Sequence, residues 1–400
     1  MSTSSNRKAI IIGAGMGGLS AAIALNKIGI SVEIYEQAKK LRDAGTAISI
    51  TTNGMNALKA LGVDGAMMDA GEVITDMYAR ETNGDLITRM PVDKVGEKLG
   101  APTVMVHRKN IQNTLLSFIN CDQLHLGKEL DNFKHTKNGV RVTFKDGSVV
   151  EGDMLIGADG NHSAVRNQMF GLDDARHTHY VAWLATTNFE HPVVTKGSAN
   201  HYWGQGERFG LMDLGDGQVY WWGTKNTKQV AERLQHISLL SGDNNDADKA
   251  EIVNTYRDWS DEVVDVIACT PAENIIEVNT RDRKPLKKWG EKGVTLLGDA
   301  AHPALTSLGM GAAQAFEDSV VLMKCLESTH DVNKALRLYE KHRIPLTTKR
   351  VNLSRNISDM EQVENKWLAK ARNTAFRVMP EKLIEIILTD ANKFSIPENK

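Results

Sequence analysis

Residues 8–36 read KAIIIGAGMGGLSAAIALNKIGISVEIYE, and this stretch decides the fold. Lys8 to Ile12 is a short apolar run of the kind a buried parallel strand carries. It stops at Gly13-Ala14-Gly15-Met16-Gly17-Gly18, which satisfies G-x-G-x-x-G. Gly17 to Lys27 then reads as a helix with Leu19, Ile23 and Leu25 among its apolar positions, and Ser31 to Tyr35 reads as a second strand. Together they make a βαβ unit. Gly13 permits the tight turn, Gly15 lets the backbone approach a pyrophosphate, and Gly18 allows close packing of helix on strand. The helix N-terminus offers unsatisfied N–H groups and partial positive charge to phosphates. Glu36 ends the second strand, where a carboxylate accepts hydrogen bonds from an adenosine ribose and repels a 2′-phosphate. The unit predicts a dinucleotide site without separating NAD from FAD.

Outward from this unit, Asn53 to Ala60 is predicted helical, and Met77 to Met90 alternates like strands around a turn at Asn83-Gly84. Val104 to Phe118 reads as a strand running into a helix. Val140 to Thr143 and Val149 to Ile156 read as strands about a turn at Asp146-Gly147. Tyr180 to Thr224 is aromatic and strand-like, with turns at Gly204 and Gly215-Asp216-Gly217. Val294 to Leu297 is another buried strand, ending in Gly298-Asp299, and the chain from Gly311 onward reads as mostly helical. The expected fold class is α/β: a Rossmann-like nucleotide-binding domain interrupted by a mostly antiparallel sheet, with C-terminal helices. We assign 1–75, 101–179 and 281–355 to the first domain, 76–100 and 180–280 to the second, and 356–400 to a C-terminal helical segment.

With 400 residues, 41% hydrophobic and 24% charged, the chain has the composition of a globular protein. A formal net charge of −2 and the lack of polybasic stretches exclude a nucleic-acid partner. No apolar run reaches the roughly 18 residues of a membrane helix, and MSTSSNRKAIIIG holds no signal-peptide core, so a cytoplasmic location away from the membrane is expected. Cys121, Cys269 and Cys325 are odd in number and widely spaced, so they are read as buried, reduced thiols. No spacing of metal-ligand type occurs, and no metal is expected.

Two further motifs follow the first. One is Asp153-Met154-Leu155-Ile156-Gly157-Ala158-Asp159-Gly160, with Ser163 and Arg166 after it. The other is Gly298-Asp299-Ala300-Ala301-His302-Pro303, with Gly309-Met310-Gly311 and Glu317-Asp318 after it. With these in order, the chain from Lys8 to about Ser354 resembles the group A FAD-dependent aromatic hydroxylases, the para-hydroxybenzoate hydroxylase type. Within that group it looks most like the bacterial urate and heteroaromatic hydroxylases. The resemblance implies FAD as cofactor, held by Gly13, Gly15, Met16, Gly17, Gly18, Glu36, Arg108, Asp159, Asp299, Pro303, Gly309, Met310 and Gly311. In it Arg108 lies at the pyrophosphate and Asp299 holds the ribityl chain, while N–H groups of Gly309 to Gly311 face the flavin pyrimidine ring. From the residues alone, Asp299 also suits a helix N-cap, Arg108 a surface charge, and Asp159 a turn acid paired with an arginine. The family commonly has a proline and then GQG where this chain has Thr306-Ser307-Leu308-Gly309-Met310-Gly311. The glycines survive, so the backbone role survives; Met310 replaces a polar side chain with an apolar one. No second G-x-G-x-x-G occurs, so NADH or NADPH is expected to dock transiently.

Tyr202 to Trp222 is dense in aromatics with Arg208 among them. Two strands joined near Gly215-Asp216-Gly217 would bring Arg208 and Tyr220 toward each other, and residues of these types at matching places meet substrate and flavin in the urate hydroxylase pattern. Arg208 and Tyr220 are the candidate catalytic residues: a guanidinium can hold an anionic ring, and a tyrosine can stack or donate one hydrogen bond. Trp203, Trp221 and Trp222 read as sheet packing, and His201 and His302 as structural histidines or as bases. The expected activity is insertion of one oxygen from O₂ into a small electron-rich aromatic, urate-like compound through a flavin hydroperoxide, by a monomer or homodimer. The alternatives are an epoxidase, antibiotic-inactivating monooxygenase or reductase of the same fold, or a non-catalytic flavin-binding sensor.

Overall fold

The computed structural model describes residues 7–41, 46–171, 175–227, 249–278 and 280–396. Residues 228–248 and 397–400 of the segments assigned above lie outside the described residues. A five-stranded, all-parallel sheet carries the strands in the order Val294–Leu296, Met154–Gly157, Lys8–Ile12, Ser31–Glu36 and Leu124–Leu126. Its central strands are apolar because both faces are covered, one by the helix Met16–Lys27 and the other by a three-stranded antiparallel sheet of Leu130–His135, Val140–Phe144 and Val149–Gly152, whose Phe144 packs on Tyr35 at 4.6 Å between ring centroids. Ile10 and Ile11 are fully buried, each worth roughly 1.5–3 kcal/mol of transfer free energy. The helix Met16–Lys27 packs beside the helix Gly311–Ser328, and the Ser20 and Ser319 hydroxyls meet at 2.8 Å.

The predicted strand Val149 to Ile156 is two strands. Val149–Gly152 pairs antiparallel with Val140–Phe144, while Met154–Gly157 pairs parallel with Lys8–Ile12. The break falls at Asp153, whose carboxylate accepts the Lys8 N–H at 2.6 Å and whose own N–H donates to the Lys8 carbonyl. One residue thus moves the chain from one sheet to another.

A seven-stranded, mostly antiparallel sheet holds, in order, Ile276–Val278, Tyr180–Asn188, Gln218–Asn226, Glu207–Gly215, Ser198–Trp203, Asp76–Arg80 and Leu86–Met90. Only the pair Ser198–Trp203 with Asp76–Arg80 is parallel. One face presents Trp183, Phe209 and Trp221 to the helices Lys249–Tyr256 and Asp261–Cys269. The opposite face turns toward the nucleotide-binding unit, where Tyr220 and Met212 pack with Ala47 and Met105. The helices Lys366–Val378 and Glu381–Ala391 lie against the Leu86–Met90 edge, with Phe376 edge-on to Trp203 at 5.0 Å between ring centroids. Trp367, Val378 and Ile387 on these helices remain exposed. Among the described residues no helix is long and apolar enough to cross a membrane. Cys325 is buried as expected, but Cys121 and Cys269 are exposed because they sit at the ends of surface elements.

Candidate active site

The first glycine turn is built by close backbone contact. Gly13 has φ +103°, and a Cβ there would lie 2.5 Å from the Ala158 carbonyl oxygen, so the first and second motifs touch. A Cβ on Gly18 would lie 1.9 Å from the Gly13 carbonyl oxygen. Gly15 is exposed, with nothing within 4 Å of where its Cβ would be. No side chain caps the helix that begins at Met16, so its first N–H groups face the open space over Gly15. Glu36 fixes this turn, accepting the N–H groups of Ala14 and Ala38 at 2.9 Å each.

The second motif is tied to the first and the third. Asp159 accepts the N–H of Ala164 at 2.7 Å and of Val165 at 3.2 Å, so its partners are backbone amides and not the expected arginine. Burial pushes its carboxyl above the ordinary range, and its other oxygen, Oδ1, is buried without a protein partner. Arg166 donates to the carbonyls of Ala300 and Asn161 at 2.9 and 2.6 Å, locking the second motif onto the third.

In the third motif Gly298 turns with φ +62°, and its N–H donates to Asp318 at 2.9 Å. Asp318 also binds His302 Nε2 and Arg343 Nε, both at 2.6 Å, and all of these side chains are buried. His302 is therefore engaged in the support of the turn. The turn presents Asp299, whose side chain makes no hydrogen bond among the described residues and stays open to solvent between surrounding protein atoms. Burial raises its carboxyl pKa, while His302, Arg108 and Arg166 act in the opposite direction. Arg108, exposed at the start of the helix Arg108–Leu116, is thus close enough to Asp299 to be felt by it. Pro303 and Met310 are buried. Gly309, at φ +62°, leads into the helix Gly311–Ser328, which again has no side-chain cap, and neither Gly309 nor Gly311 has a neighbour where a Cβ would sit.

On the sheet face opposite, register places Arg208 against Thr224 and Met212 against Tyr220. Arg208 and Tyr220 share a face but are separated along it by Gly210 and Trp222. A Cβ on Gly210 would lie 2.2 Å from Trp222 Nε1, so the half-buried indole lies against that glycine, with the Arg208 guanidinium 5.1 Å from its centroid. Tyr220 makes no hydrogen bond among the described residues, and burial pushes its hydroxyl pKa up. His201 stands edge-on to Trp222, its Nε2 is buried without a partner, and burial followed by Arg208 lowers its pKa to about 4. Of the three tryptophans, Trp221 is core, Trp203 packs on Phe376, and Trp222 faces the site. Arg208 lies on the same face as Trp222 and Tyr220. It is buried, its Nη1 donates to Glu361, and its Nε donates to Gln362 at 3.2 Å. Among the described residues no group of three or more His, Cys, Asp or Glu side chains could hold a metal ion.

The sequence profile of the family described as "FAD binding domain" matches residues 6–354. The chain belongs to the FAD-dependent aromatic hydroxylase family. Aurachin C monooxygenase/isomerase of Stigmatella aurantiaca is 33% identical over 94% of this chain and 95% of its own length. A FAD-dependent urate hydroxylase of Klebsiella pneumoniae is 30% identical over 91% and 93%. The crystal structure of Klebsiella pneumoniae HpxO complexed with FAD and uric acid superposes with a TM-score of 0.88 at 28% identity, covering 97% of each chain. As in its family, the cofactor is FAD. The geometry fits that group: two uncapped helix N-termini, open space over Gly15, Gly309 and Gly311, the unpartnered Asp159 Oδ1, and the open Asp299 carboxylate.

Proposed function

We propose that this hydroxylase uses NADH or NADPH and O₂ to hydroxylate a small electron-rich aromatic or N-heteroaromatic compound, with an urate-like ring among the candidates. Bound FAD supplies the redox and oxygen chemistry. Arg108 and the N–H groups at the start of the helix Met16–Lys27 would hold its pyrophosphate, and Glu36 and Asp299 its hydroxyls. The N–H groups at Gly309 to Gly311 would face negative charge on its ring system.

The observation that carries the reading is the aromatic row of Tyr220 and Trp222 turned toward the nucleotide-binding unit. Tyr220 would offer one hydroxyl to a polar edge of the substrate, and Trp222 a flat apolar wall. Met212 and Met105 beside Tyr220 keep water from the reacting ring. Names of relatives support ring compounds as substrates: urate hydroxylases and 6-hydroxynicotinate 3-monooxygenases occur among them. Replacing Tyr220 by Phe tests the placement. Oxygen insertion should fall at least tenfold while FAD content stays at the wild-type level, and full activity would remove Tyr220 from the site.

A further inference from the structure

Arg208 has a partner from the far end of the sequence. Glu361 closes the helix Val332–Glu361, 153 residues beyond Arg208, and both side chains are buried. Its carboxylate accepts the Arg208 Nη1–H, and the Gln362 amide oxygen accepts both Arg208 Nε–H and the Thr224 hydroxyl at 3.2 Å each. These two bonds hold the guanidinium over the Trp222 ring, and Thr224 steadies Gln362. A guanidinium offers only donors, and here two of its nitrogens are taken from one side. Arg372 is the other charge that acts on Glu361. Arg372 spends its donors on the carbonyls of Glu361 and Gly204, at 2.8 and 3.1 Å, and lies over Trp203 rather than over Trp222. Burial raises the carboxyl pKa of Glu361, with Arg208 and Arg372 acting in the opposite direction.

From this geometry we infer that Glu361 is a positioning and specificity residue: it fixes and neutralises Arg208, so that among the ring compounds of the proposed function the site selects an uncharged one over an anion such as urate. The inference rests on the proposed function only for placing the substrate on the Trp222–Tyr220 face. An anionic ring brought to Arg208 would also meet the Glu361 carboxylate, where water is scarce and repulsion is poorly screened. A neutral ring meets an ion pair that already balances, and it can stack on Trp222 and bond to Tyr220.

The test uses the FAD-loaded protein at pH 8 without NAD(P)H, so it is independent of oxygen insertion. Two shape-matched pairs are titrated by their perturbation of flavin absorbance: 6-hydroxynicotinamide with 6-hydroxynicotinate, and quinoline-4-carboxamide with quinoline-4-carboxylate. The wild type should bind at least one amide tenfold or more tighter than its carboxylate. Glu361→Gln should shift that ratio toward the carboxylate by tenfold or more, which a merely structural role would not do. A wild type that prefers the carboxylates, an unchanged ratio in Glu361→Gln, or no binding of any of the four compounds would each overturn the inference. Should the variant not fold, the wild-type ratio alone decides. A failure here with oxygen insertion intact would leave the proposed function standing. Retained selectivity with no oxygen insertion on any compound would do the reverse.

Discussion

Gly15 and Gly18 sit three residues apart in one turn, yet their replacement by alanine should break different things. At Gly18 the new Cβ would lie 1.9 Å from the Gly13 carbonyl oxygen, about 1.5 Å inside an ordinary contact of 3.4 Å. That oxygen belongs to a backbone held by the Gly13 N–H bond to Tyr35, so it cannot swing away. Overpacking of this kind costs about 1–3 kcal/mol, and Gly18→Ala should lower the Tm of the FAD-free protein. Gly15 differs in both respects. Its φ of −74° and ψ of 179° suit alanine, and its Cβ would meet nothing within 4 Å. Alanine loses roughly 0.5–1 kcal/mol as an N-cap but gains about 0.4–1 kcal/mol by restricting the unfolded chain. The two offset, so the Tm of FAD-free Gly15→Ala should match the wild type. Its methyl would nonetheless fill the space where a pyrophosphate approaches the helix. The expected loss is at least tenfold in FAD affinity, about 1.4 kcal/mol. Calorimetry on the FAD-free proteins and fluorescence titration with FAD measure the two effects separately. Wild-type FAD affinity in Gly15→Ala would refute the assignment of this turn to the phosphates.

Three other outcomes are expected. Asp318→Asn removes one of the two carboxylates on Arg343, with Glu317 remaining at 2.7 Å, and weakens the anchor of His302, so urea unfolding should show a loss of about 1–3 kcal/mol; a change within error would mean the network relaxes around the site. His201 has a folded pKa of about 4 against 6.5 unfolded, so the unfolded chain holds more protons between those values, and stability is lost as the pH is lowered from 6.5 to about 4. The loss for this residue is at most about 1.4 kcal/mol per pH unit, and a wild type and His201→Gln with the same pH dependence of unfolding would refute it. Gly210→Ala places a Cβ 2.2 Å from Trp222 Nε1 and must move the indole, so the KM for the aromatic substrate should rise tenfold while FAD content holds; an unchanged KM would take Trp222 out of the substrate wall.

The parts of the site legible in the sequence are those in which local chain geometry is the function. Glycines at 13 and 18 mark a turn that only their lack of a Cβ permits, Gly15 keeps open the space where a pyrophosphate approaches, and Asp299 follows closely on its strand. What stayed hidden depends on contacts between distant segments. Glu361 looks like any helix carboxylate until the fold brings it to Arg208. Asp318 was visible beside Glu317, but its hold on Gly298 and His302 was not. The strand from Val149 to Ile156 read as one because nothing in its apolar alternation marks the turn that Asp153 makes through Lys8. The aromatic segment was read correctly as strands, but only the register put Trp221 in the core and Trp222 in the site, since neighbouring residues face opposite ways.

The central claim is oxygen insertion into a heteroaromatic ring, and isotope labelling tests it most directly. The purified, FAD-loaded protein would be supplied with NADH or NADPH under oxygen-18 gas, with a panel of neutral and anionic hydroxypyridines, quinolones and purines. The account predicts that one compound stimulates NAD(P)H oxidation and that its product carries one oxygen-18 atom. NAD(P)H oxidation that yields only hydrogen peroxide with every compound, or a product oxygen that comes from water, would contradict it.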